Sequence, residues 1–407
     1  MFQEAHCLQN NLKPFSMKFT SATLLLFVNL LSSSCNFTSS GIFSKKTPHE
    51  KYAERLDDED LDKTPQGRQW LAAAKSALEA PHVMQLPYRQ VGYFQSDKPR
   101  ALGLKFSAKR GERLLFTLNK SAAVNLVVYA DLFKQNGSEV EYLQSSDTNE
   151  AAFSLDIEEA GTYVLRLQPE LGRTGEYSLS IAVGPTIAFP VSGTKAVPGS
   201  FWGASRDGGK RSHEGVDIFA PKGTPAVASA DGVITGVKEE GIGGKVVWLR
   251  PTGKDYYLYY AHLDKQLVQE GQIVRQGDVV GTVGNTGNAR NTPSHLHFGV
   301  YMNHGPVDPY PFINKEVKTA PAVPEKSLAN YLHLTKSQKV RNQSITVNSV
   351  LVPLAVTAKG YITESPEGQI FLTPFTAVKS TGQPVRSASE ATAISEPPKE
   401  RRRANKG

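Results

Sequence analysis

Hydrophobic and polar residues alternate through most of the chain, and this pattern predicts a mostly β protein. Between residues 87 and 183, short alternating runs are separated by clusters of Gly, Asn and Ser. A period of two is typical of strands that bury one face, and several short strands at this spacing favour an antiparallel sandwich. The predicted strands cover residues 104–106, 114–118, 124–129, 153–157, 163–167 and 177–181.

A helical period precedes this region. Leu71, Ala74 and Leu78 recur at helical spacing, and Thr64 followed by proline is typical of a helix N-cap. We therefore predict one short amphipathic helix in front of the strands. Residues 36–64 are rich in Ser, Lys, Asp and Glu with almost no apolar pattern, so we expect a flexible tether there.

A second set of strand-like runs with tight glycine turns follows a boundary rich in Pro and Gly at residues 184–198. It predicts a central all-β domain with a hairpin turn at 251–254. A third set is shorter, and its size fits an SH3-like barrel. The predicted domains are a helix plus sandwich at 65–184, a central domain at 188–315, a small SH3-like module at 327–385 and a disordered basic tail at 386–407.

The first 35 residues resemble an export signal. An apolar core at 22–31 follows Lys18 and is too short to span a bilayer as an anchor. Cys35 follows directly, as in a bacterial lipoprotein signal, although Ser32 stands where that pattern has a branched apolar residue. Lipidation of Cys35 and simple secretion are both open, and so is a start at Met1 or Met17. Either way we expect export to the cell envelope, meaning the periplasm or the outer membrane, and a lipid anchor is the preferred reading.

Composition limits the chemistry of the rest of the chain. The two cysteines, Cys7 and Cys35, precede the predicted domains, so the domains contain no disulfide and no thiolate metal site. Any metal must be held by histidine and carboxylate. The formal charge of +7 is modest for 407 residues. The sequence has no phosphate loop, no dinucleotide fingerprint and no nucleic-acid motif, so we expect no nucleic-acid partner.

Four of the nine histidines lie between residues 211 and 300. His213 and Asp217 are four residues apart, with a glycine between them that permits a sharp bend. His295 and His297 are two apart and would share one face of a strand, pointing into one groove. Two imidazoles and a carboxylate suit Zn²⁺ and leave a fourth position for water, which is the catalytic pattern. The spacing leaves open which of His295 and His297 is the ligand.

The remaining two histidines are candidates for proton transfer and oxyanion stabilisation, because the chain lacks the usual glutamate base of an H-E-x-x-H helix. Histidine suits both tasks, since its ordinary pKa lies near neutral pH. His262 and one of the H-x-H pair would serve. Each motif alone is weak, because a single strand histidine is most often structural. The ordered set, each member in a strand or turn context, is far more specific.

Three motifs carry a family resemblance: His-Glu-Gly-Val-Asp at 213–217, Tyr-Ala-His-Leu at 260–263 and His-Leu-His-Phe at 295–298. Together they resemble the lysostaphin-type, or LytM-like, zinc metallopeptidases over residues 188–315. The resemblance implies an open-groove β domain that cleaves peptide cross-links of bacterial peptidoglycan. It implies one Zn²⁺ per chain held by His213, Asp217 and His297, with His262 and His295 as the catalytic histidines.

The other regions carry weaker resemblances and several open alternatives. The closing runs of the sandwich resemble small jelly-roll domains found beside secreted bacterial peptidases, which favours a spacer or binding module. The rival functions are a non-catalytic activator of other wall hydrolases, a biotinyl- or lipoyl-like carrier, and a peptidase of another extracellular protein. Arg206 and Arg211 either hold a substrate carboxylate or are solvated. Among possible scissile bonds, we favour direct links from D-Ala to a diamino acid.

Overall fold

The computed structural model describes residues 46–385, apart from 96, 122–124 and 194. The predicted export signal, Cys35 and the basic tail at 386–407 lie outside these residues. Among the described residues, no helix is long and apolar enough to cross a membrane. The fold class is mostly β, as the alternating pattern predicts.

Two helices and a short 3₁₀ turn open the described chain. Helix α1 spans Pro48–Asp58, the turn spans Leu61–Lys63, and helix α2 spans Pro65–Glu79. Helix α2 begins at the predicted N-cap, where the Thr64 side chain accepts a hydrogen bond from the Gly67 N–H. The prediction of a flexible tether at 36–64 is wrong for Pro48–Asp58 and Leu61–Lys63, which are helical.

Helix α1 is stabilised by a cap at its N-terminus and by one buried face, and neither feature shows as an apolar run in the sequence. The Thr47 side chain and the Glu50 side chain form a capping box, in which each accepts a hydrogen bond from the other's backbone N–H. Only a narrow face is buried, by Leu56 and His49. That face packs with Trp70 of α2, so tertiary contact stabilises a helix whose remaining surface is charged.

The sandwich follows the helices. One sheet has the order β1-β3-β8-β5-β6, and β2-β9-β4-β7 form part of a second sheet that faces it across an apolar core. Asn125 has a positive φ of 41°, which interrupts extended backbone, and the strand predicted at 124–129 instead begins at Val128. The strands are β1 His82–Val83, β2 Tyr88–Phe94, β3 Leu102–Ala108, β4 Glu112–Lys120, β5 Val128–Asn136, β6 Glu139–Ser145, β7 Ala152–Asp156, β8 Gly161–Pro169 and β9 Gly175–Pro185.

The central domain is built on a ten-stranded sheet with the order β10-β13-β20-β17-β16-β15-β18, to which β14, β19 and β21 add. The hairpin predicted at 251–254 joins β16 to β17. The elements are β10 Val197–Ser200, β11 Ser205–Arg206, β12 Arg211–Ser212, β13 Val216–Phe219, β14 Pro225–Val227, β15 Gly232–Glu240, β16 Gly244–Pro251, β17 Tyr256–Gln266, β18 Ile273–Val274, β19 Val279–Val283, β20 His295–Met302, β21 Gly305–Val307 and the short helix α3 Tyr310–Ile313.

The C-terminal strands continue a sheet of the sandwich. Strand β25 pairs with β2, so the second sheet runs β27-β26-β25-β2-β9-β4-β7. Ala355 and Ile362 belong to the sandwich core, while Tyr93 of β2 packs into the C-terminal core. The barrel type stays a prediction, but the shared sheet was not predicted. These strands are β22 Asn330–Leu334, β23 Gln338–Val340, β24 Gln343–Ile345, β25 Val350–Thr357, β26 Gly360–Glu364, β27 Ile370–Pro374 and β28 Val378–Pro384.

Candidate metal centre

Strand pairing in the central sheet brings the two halves of the predicted site together. Strand β13 carries Asp217 and pairs antiparallel with β20, which begins at His295. The register places Asp217 opposite His297 and Phe219 opposite His295. Because side chains alternate between faces, the intervening Val216, Ile218, Leu296 and Phe298 fill the core. One face of these strands therefore packs the domain, and the other presents the polar set to a groove.

Three potential ligand atoms form a tight triangle on this face. The Nε2 atom of His213 and the Nδ1 atom of His297 each lie 3.0 Å from Oδ1 of Asp217, and the two nitrogens are 3.0 Å apart. Ligand atoms around a tetrahedral zinc ion at its usual bond lengths are about 3.3 Å apart. Within the described part of the chain, these three residues lie close enough together to hold one metal ion. Their spacing and their nitrogen–nitrogen–oxygen chemistry fit Zn²⁺.

Backbone carbonyls fix the orientation of three of the four imidazoles at this site. The Nδ1–H of His213 donates to the Phe201 carbonyl at 3.0 Å, and that of His262 donates to the Thr286 carbonyl at 2.9 Å. The Nδ1–H of His295 donates to the Pro293 carbonyl at 2.8 Å. In each ring this assignment leaves the lone pair on Nε2. The arrangement predisposes the three rings to bind a metal or accept a proton through Nε2.

Gly215 makes room for His297. The chain bends at Gly215 as predicted, but its φ does not lie in the left-handed region. A Cβ at this position would stand 2.5 Å from Cε1 and 2.6 Å from Nε2 of His297. Such contacts are far inside van der Waals distance, so glycine is required here for space. The bend was predicted from the sequence, whereas the need for space depends on the packing of His297 and was not predicted.

His262 lies at the edge of the triangle with a strained backbone. Its φ is +59°, a left-handed conformation that costs a non-glycine residue about 1–2 kcal/mol. Its N–H donates to the Gly243 carbonyl, and Ala261, next to it, pairs with His297 across the sheet. Its ring centre is 5.0 Å from that of His295 and 5.8 Å from that of His297. Strain of this kind is frequent where function fixes a side chain.

Burial and local charge set the protonation of the group. Burial raises the pKa of the Asp217 carboxyl, but hydrogen bonds and charge from His213 and His297 outweigh it and hold that pKa well below its ordinary value. Burial also lowers the pKa of His262 to about 4, helped by the charge of His297 and His295. The pKa of His297 is lowered as well, again mainly by burial. At neutral pH the Asp217 carboxyl is therefore ionised, and burial favours the neutral form of His262 and His297.

The site opens into a groove of about 520 Å³ that contains all five predicted residues. Tyr259 and Tyr301 form part of its wall, with the Tyr259 ring centre 6.0 Å from that of His297. Neither tyrosine was predicted, because their place depends on the pairing of β17 with β20. Arg206 and Arg211 also line the groove. Arg206, however, donates to Oδ2 of Asp217 at 2.7 Å, a contact that the sequence analysis missed.

The part of the chain that forms this groove is similar to a known protein family. Residues 211–309 match the model of peptidase family M23. This segment is similar to an M23 peptidase domain. The family predicted from the three histidine motifs is thereby confirmed. Every residue of the triangle and both additional histidines fall within the matched segment.

Two relatives that match this segment are endopeptidases by name. The L-Ala--D-Glu endopeptidase of Bacillus subtilis (strain 168) is 38% identical over 126 residues, which are 28% of this chain and 38% of the relative. The peptidoglycan DD-endopeptidase ShyA of Vibrio cholerae is 35% identical over 120 residues, 30% of this chain and 26% of the relative. The chain thus spans well under half the length of these two relatives.

A solved structure aligns with the same part of the chain. The catalytic domain of lysostaphin from Staphylococcus simulans shares 32% sequence identity, with 29% of this chain and 91% of that domain covered and a TM-score of 0.27.

Proposed function

We propose that this protein is an exported, zinc-dependent endopeptidase that hydrolyses peptide cross-links of bacterial peptidoglycan. One observation carries the proposal: three ligand atoms 3.0 Å apart share an open groove with two further histidines. A structural zinc site would use four protein ligands, whereas three ligands beside a groove suit a catalytic site. The M23 match and the peptidoglycan enzymes among the relatives support the reaction class.

His213, Asp217 and His297 would hold the metal. Zinc, when bound, lowers the pKa of a water ligand towards about 7 and polarises a carbonyl group. The protein supplies the ligand geometry, and the Nδ1–H bond from His213 to the Phe201 carbonyl fixes the tautomer that binding needs.

His262 and His295 would handle the proton and the developing negative charge. Both keep their Nε2 lone pair, because Nδ1–H donates to a backbone carbonyl. A neutral imidazole in this state accepts a proton from the attacking water. The protonated ring can then donate a hydrogen bond to the oxygen that gains charge when the peptide carbonyl is attacked. The Nε2 atom of His295 is 3.8 Å from Oδ1 of Asp217, close enough to act beside the ligand triangle.

The groove suits a peptide substrate, because its volume is about 520 Å³ and a tyrosine wall lies beside the ligands. We favour direct links from D-Ala to a diamino acid as substrates, and one relative is a DD-endopeptidase. Export through the first 35 residues, and attachment through a lipidated Cys35, complete the proposal for an enzyme of the cell envelope. The helices and sandwich would then act as a spacer or binding module between the membrane and the wall.

The proposal is tested by digesting purified, cross-linked peptidoglycan with the chain lacking its first 35 residues. The reaction is run with zinc, with chelator and with a His213→Ala variant, and the products are resolved by mass. The matched control is His304→Ala, because His304 is an exposed histidine of the same domain outside the groove. We expect cross-linked dimers to fall to monomers only with zinc, and only in the wild type and the control.

The main alternative is a non-catalytic activator of other wall hydrolases. It predicts no release of monomers by the purified protein under any metal condition. The mass of the products also decides the scissile bond, because cleavage within the stem peptide and cleavage of the D-Ala link leave different fragments.

A further inference from the structure

The two oxygens of the Asp217 carboxylate have different partners. Oδ1 faces the histidines, at 3.0 Å from both His213 Nε2 and His297 Nδ1 and at 3.8 Å from His295 Nε2. Oδ2 points away from them and accepts a hydrogen bond from Nη2 of Arg206 at 2.7 Å. One oxygen is thus available to a metal, while the other is held in an ion pair.

Arg206 is itself held from two sides. Its Nη2 also donates to the Ser200 hydroxyl at 2.7 Å, and Ser200 pairs with Asp217 where β10 meets β13. Its backbone lies on β11, whose partner β12 leads directly into His213. The arginine therefore connects the segment that leads into His213 with the strand that carries Asp217. The side chain is 30% exposed against 11% for Asp217, so solvent reaches the arginine more than the carboxylate.

The chemistry of this pair affects how the carboxylate binds a metal. A guanidinium stays charged at all relevant pH values and holds a carboxylate oxygen by a directional, charge-assisted bond. With Oδ2 engaged, the carboxylate offers Oδ1 alone. A ligand that binds through one oxygen leaves a coordination position free for water or substrate. Partners that orient a metal ligand in this way typically change metal affinity or activity about 10–100-fold when removed.

We propose that Arg206 is a positioning residue that keeps Asp217 a one-oxygen ligand of the metal, with Ser200 as its anchor. This assignment replaces the sequence-based alternative in which Arg206 holds a substrate carboxylate. It rests on the proposed function, because it presumes that the triangle binds zinc. It extends that function by adding a residue outside the five histidine and aspartate positions.

The test measures zinc affinity and catalysis separately on the chain lacking its first 35 residues. Zinc dissociation constants come from competition with a chromophoric chelator, and kcat and KM come from peptidoglycan digestion at saturating zinc. The variants are Arg206→Met, Arg206→Lys and Ser200→Ala. The control is Arg290→Met, because Arg290 is an exposed arginine of the same domain and does not line the groove that holds the triangle.

We expect Arg206→Met to raise the zinc dissociation constant about 10–100-fold. Its kcat should fall at saturating zinc while KM stays near the wild-type value. Arg206→Lys should recover part of the affinity, because it restores the charge. Ser200→Ala should weaken binding by a few-fold only, and Arg290→Met should leave zinc affinity unchanged. If Arg206→Met does not fold, the lysine and serine variants still decide the outcome.

An unchanged zinc dissociation constant with a raised KM would overturn the proposal and return Arg206 to the role of a substrate contact. Unchanged zinc affinity in every variant would also overturn it. The outcome for the proposed function is separate: a wild type that binds zinc but releases no monomers contradicts the hydrolase and leaves the role of Arg206 intact. A wild type that binds no zinc contradicts both.

Discussion

Two regions of the molecule bury a histidine beside charged groups, and only one of them has the form of a reactive site. The first is the metal centre of the M23 domain. The second, the helix anchor, lies where α1 meets the sandwich and consists of His49, Trp70, Tyr129 and Gln168. Burial lowers the pKa of His49 to about 4, as it does for His262. A lowered histidine pKa therefore does not distinguish the two regions.

What differs is where the polar atoms point. In the helix anchor, Nε2 of His49 meets Oε1 of Gln168 at 2.7 Å, and the amide of Gln168 donates to the Trp70 carbonyl. The ring of His49 stacks on Trp70 with centres 4.6 Å apart. In the metal centre, one nitrogen of His213 and one of His297 approach the same oxygen of Asp217. Backbone carbonyls accept the Nδ1–H of His213, His262 and His295, which leaves Nε2 of each ring with its lone pair. Polar atoms that each have a hydrogen-bond partner, as in the helix anchor, stabilise the fold, whereas lone pairs that point to one place, as in the metal centre, can bind a metal ion.

The largest difference between the two regions should appear on removal of a ligand. His213→Ala deletes one corner of the triangle, so we expect loss of hydrolysis to the level of chelated wild type. The free energy of unfolding without metal should also fall, by about 1–3 kcal/mol, because the hydrogen bonds of this buried ring to the Phe201 carbonyl and to Asp217 are lost. Peptidoglycan digestion and a denaturant titration of the metal-free proteins measure the two quantities. Hydrolysis that survives the substitution would contradict the ligand assignment.

Removal of a non-ligand histidine should separate binding from catalysis. In His262→Ala the triangle remains, so zinc affinity should stay within a few-fold of the wild type. The loss of a positioned proton acceptor should lower kcat about 10²–10⁴-fold. Chelator competition and digestion kinetics on the same preparation check both statements. A variant with full kcat would exclude His262 from the proton transfer.

The helix anchor should lose stability without losing zinc binding or activity. His49→Phe keeps a ring against Trp70 but leaves Oε1 of Gln168 without this partner, so we expect a loss of about 1–3 kcal/mol of unfolding free energy. Zinc affinity and kcat should not change at temperatures where the variant is folded. Thermal denaturation and digestion rates give the two readings. Lost zinc binding in a folded variant would mean that the two regions are coupled.

The smallest effect is the change in unfolding free energy for each unit of pH. His49 has a pKa of about 4 in the folded chain and about 6.5 when unfolded. Between these values the unfolded state binds more protons, so stability decreases as pH falls from about 6.5 to 4. One such group contributes at most about 1.4 kcal/mol per pH unit. Denaturant titrations at several pH values should show a smaller decrease for metal-free His49→Phe than for metal-free wild type; equal slopes would contradict the burial argument.

The two regions also differ in how far the sequence alone predicts them. The metal centre rests on short-range spacing: His213 and Asp217 flank one bend, and His295 and His297 share one strand face. Such spacings are visible in the sequence, and the structure brings all five predicted residues into one groove. The role of Arg206 was missed because it depends on pairing between β10 and β13.

The helix anchor depends on contacts between segments far apart in the chain; helix α2 was predicted, but α1 was wrongly predicted to be part of a flexible tether. His49 and Gln168 are 119 residues apart, and nothing local to either residue indicates the other. The charged sequence of α1 is typical of a flexible tether, and its helical structure is explained only by its packing against Trp70 and Tyr129. The pairing of β25 with β2 was missed for the same reason, because neither strand carries a local signal of its distant partner.

The most direct test of the metal centre is the zinc content of three purified proteins after dialysis against buffer that contains a trace of zinc and no other transition metal. Elemental analysis gives the number of zinc ions per chain in the wild type, His213→Ala and His49→Phe. We predict one zinc in the wild type, none in His213→Ala and one in His49→Phe. A full equivalent of zinc in His213→Ala, or none in the wild type, would contradict the assignment of the triangle as the metal centre.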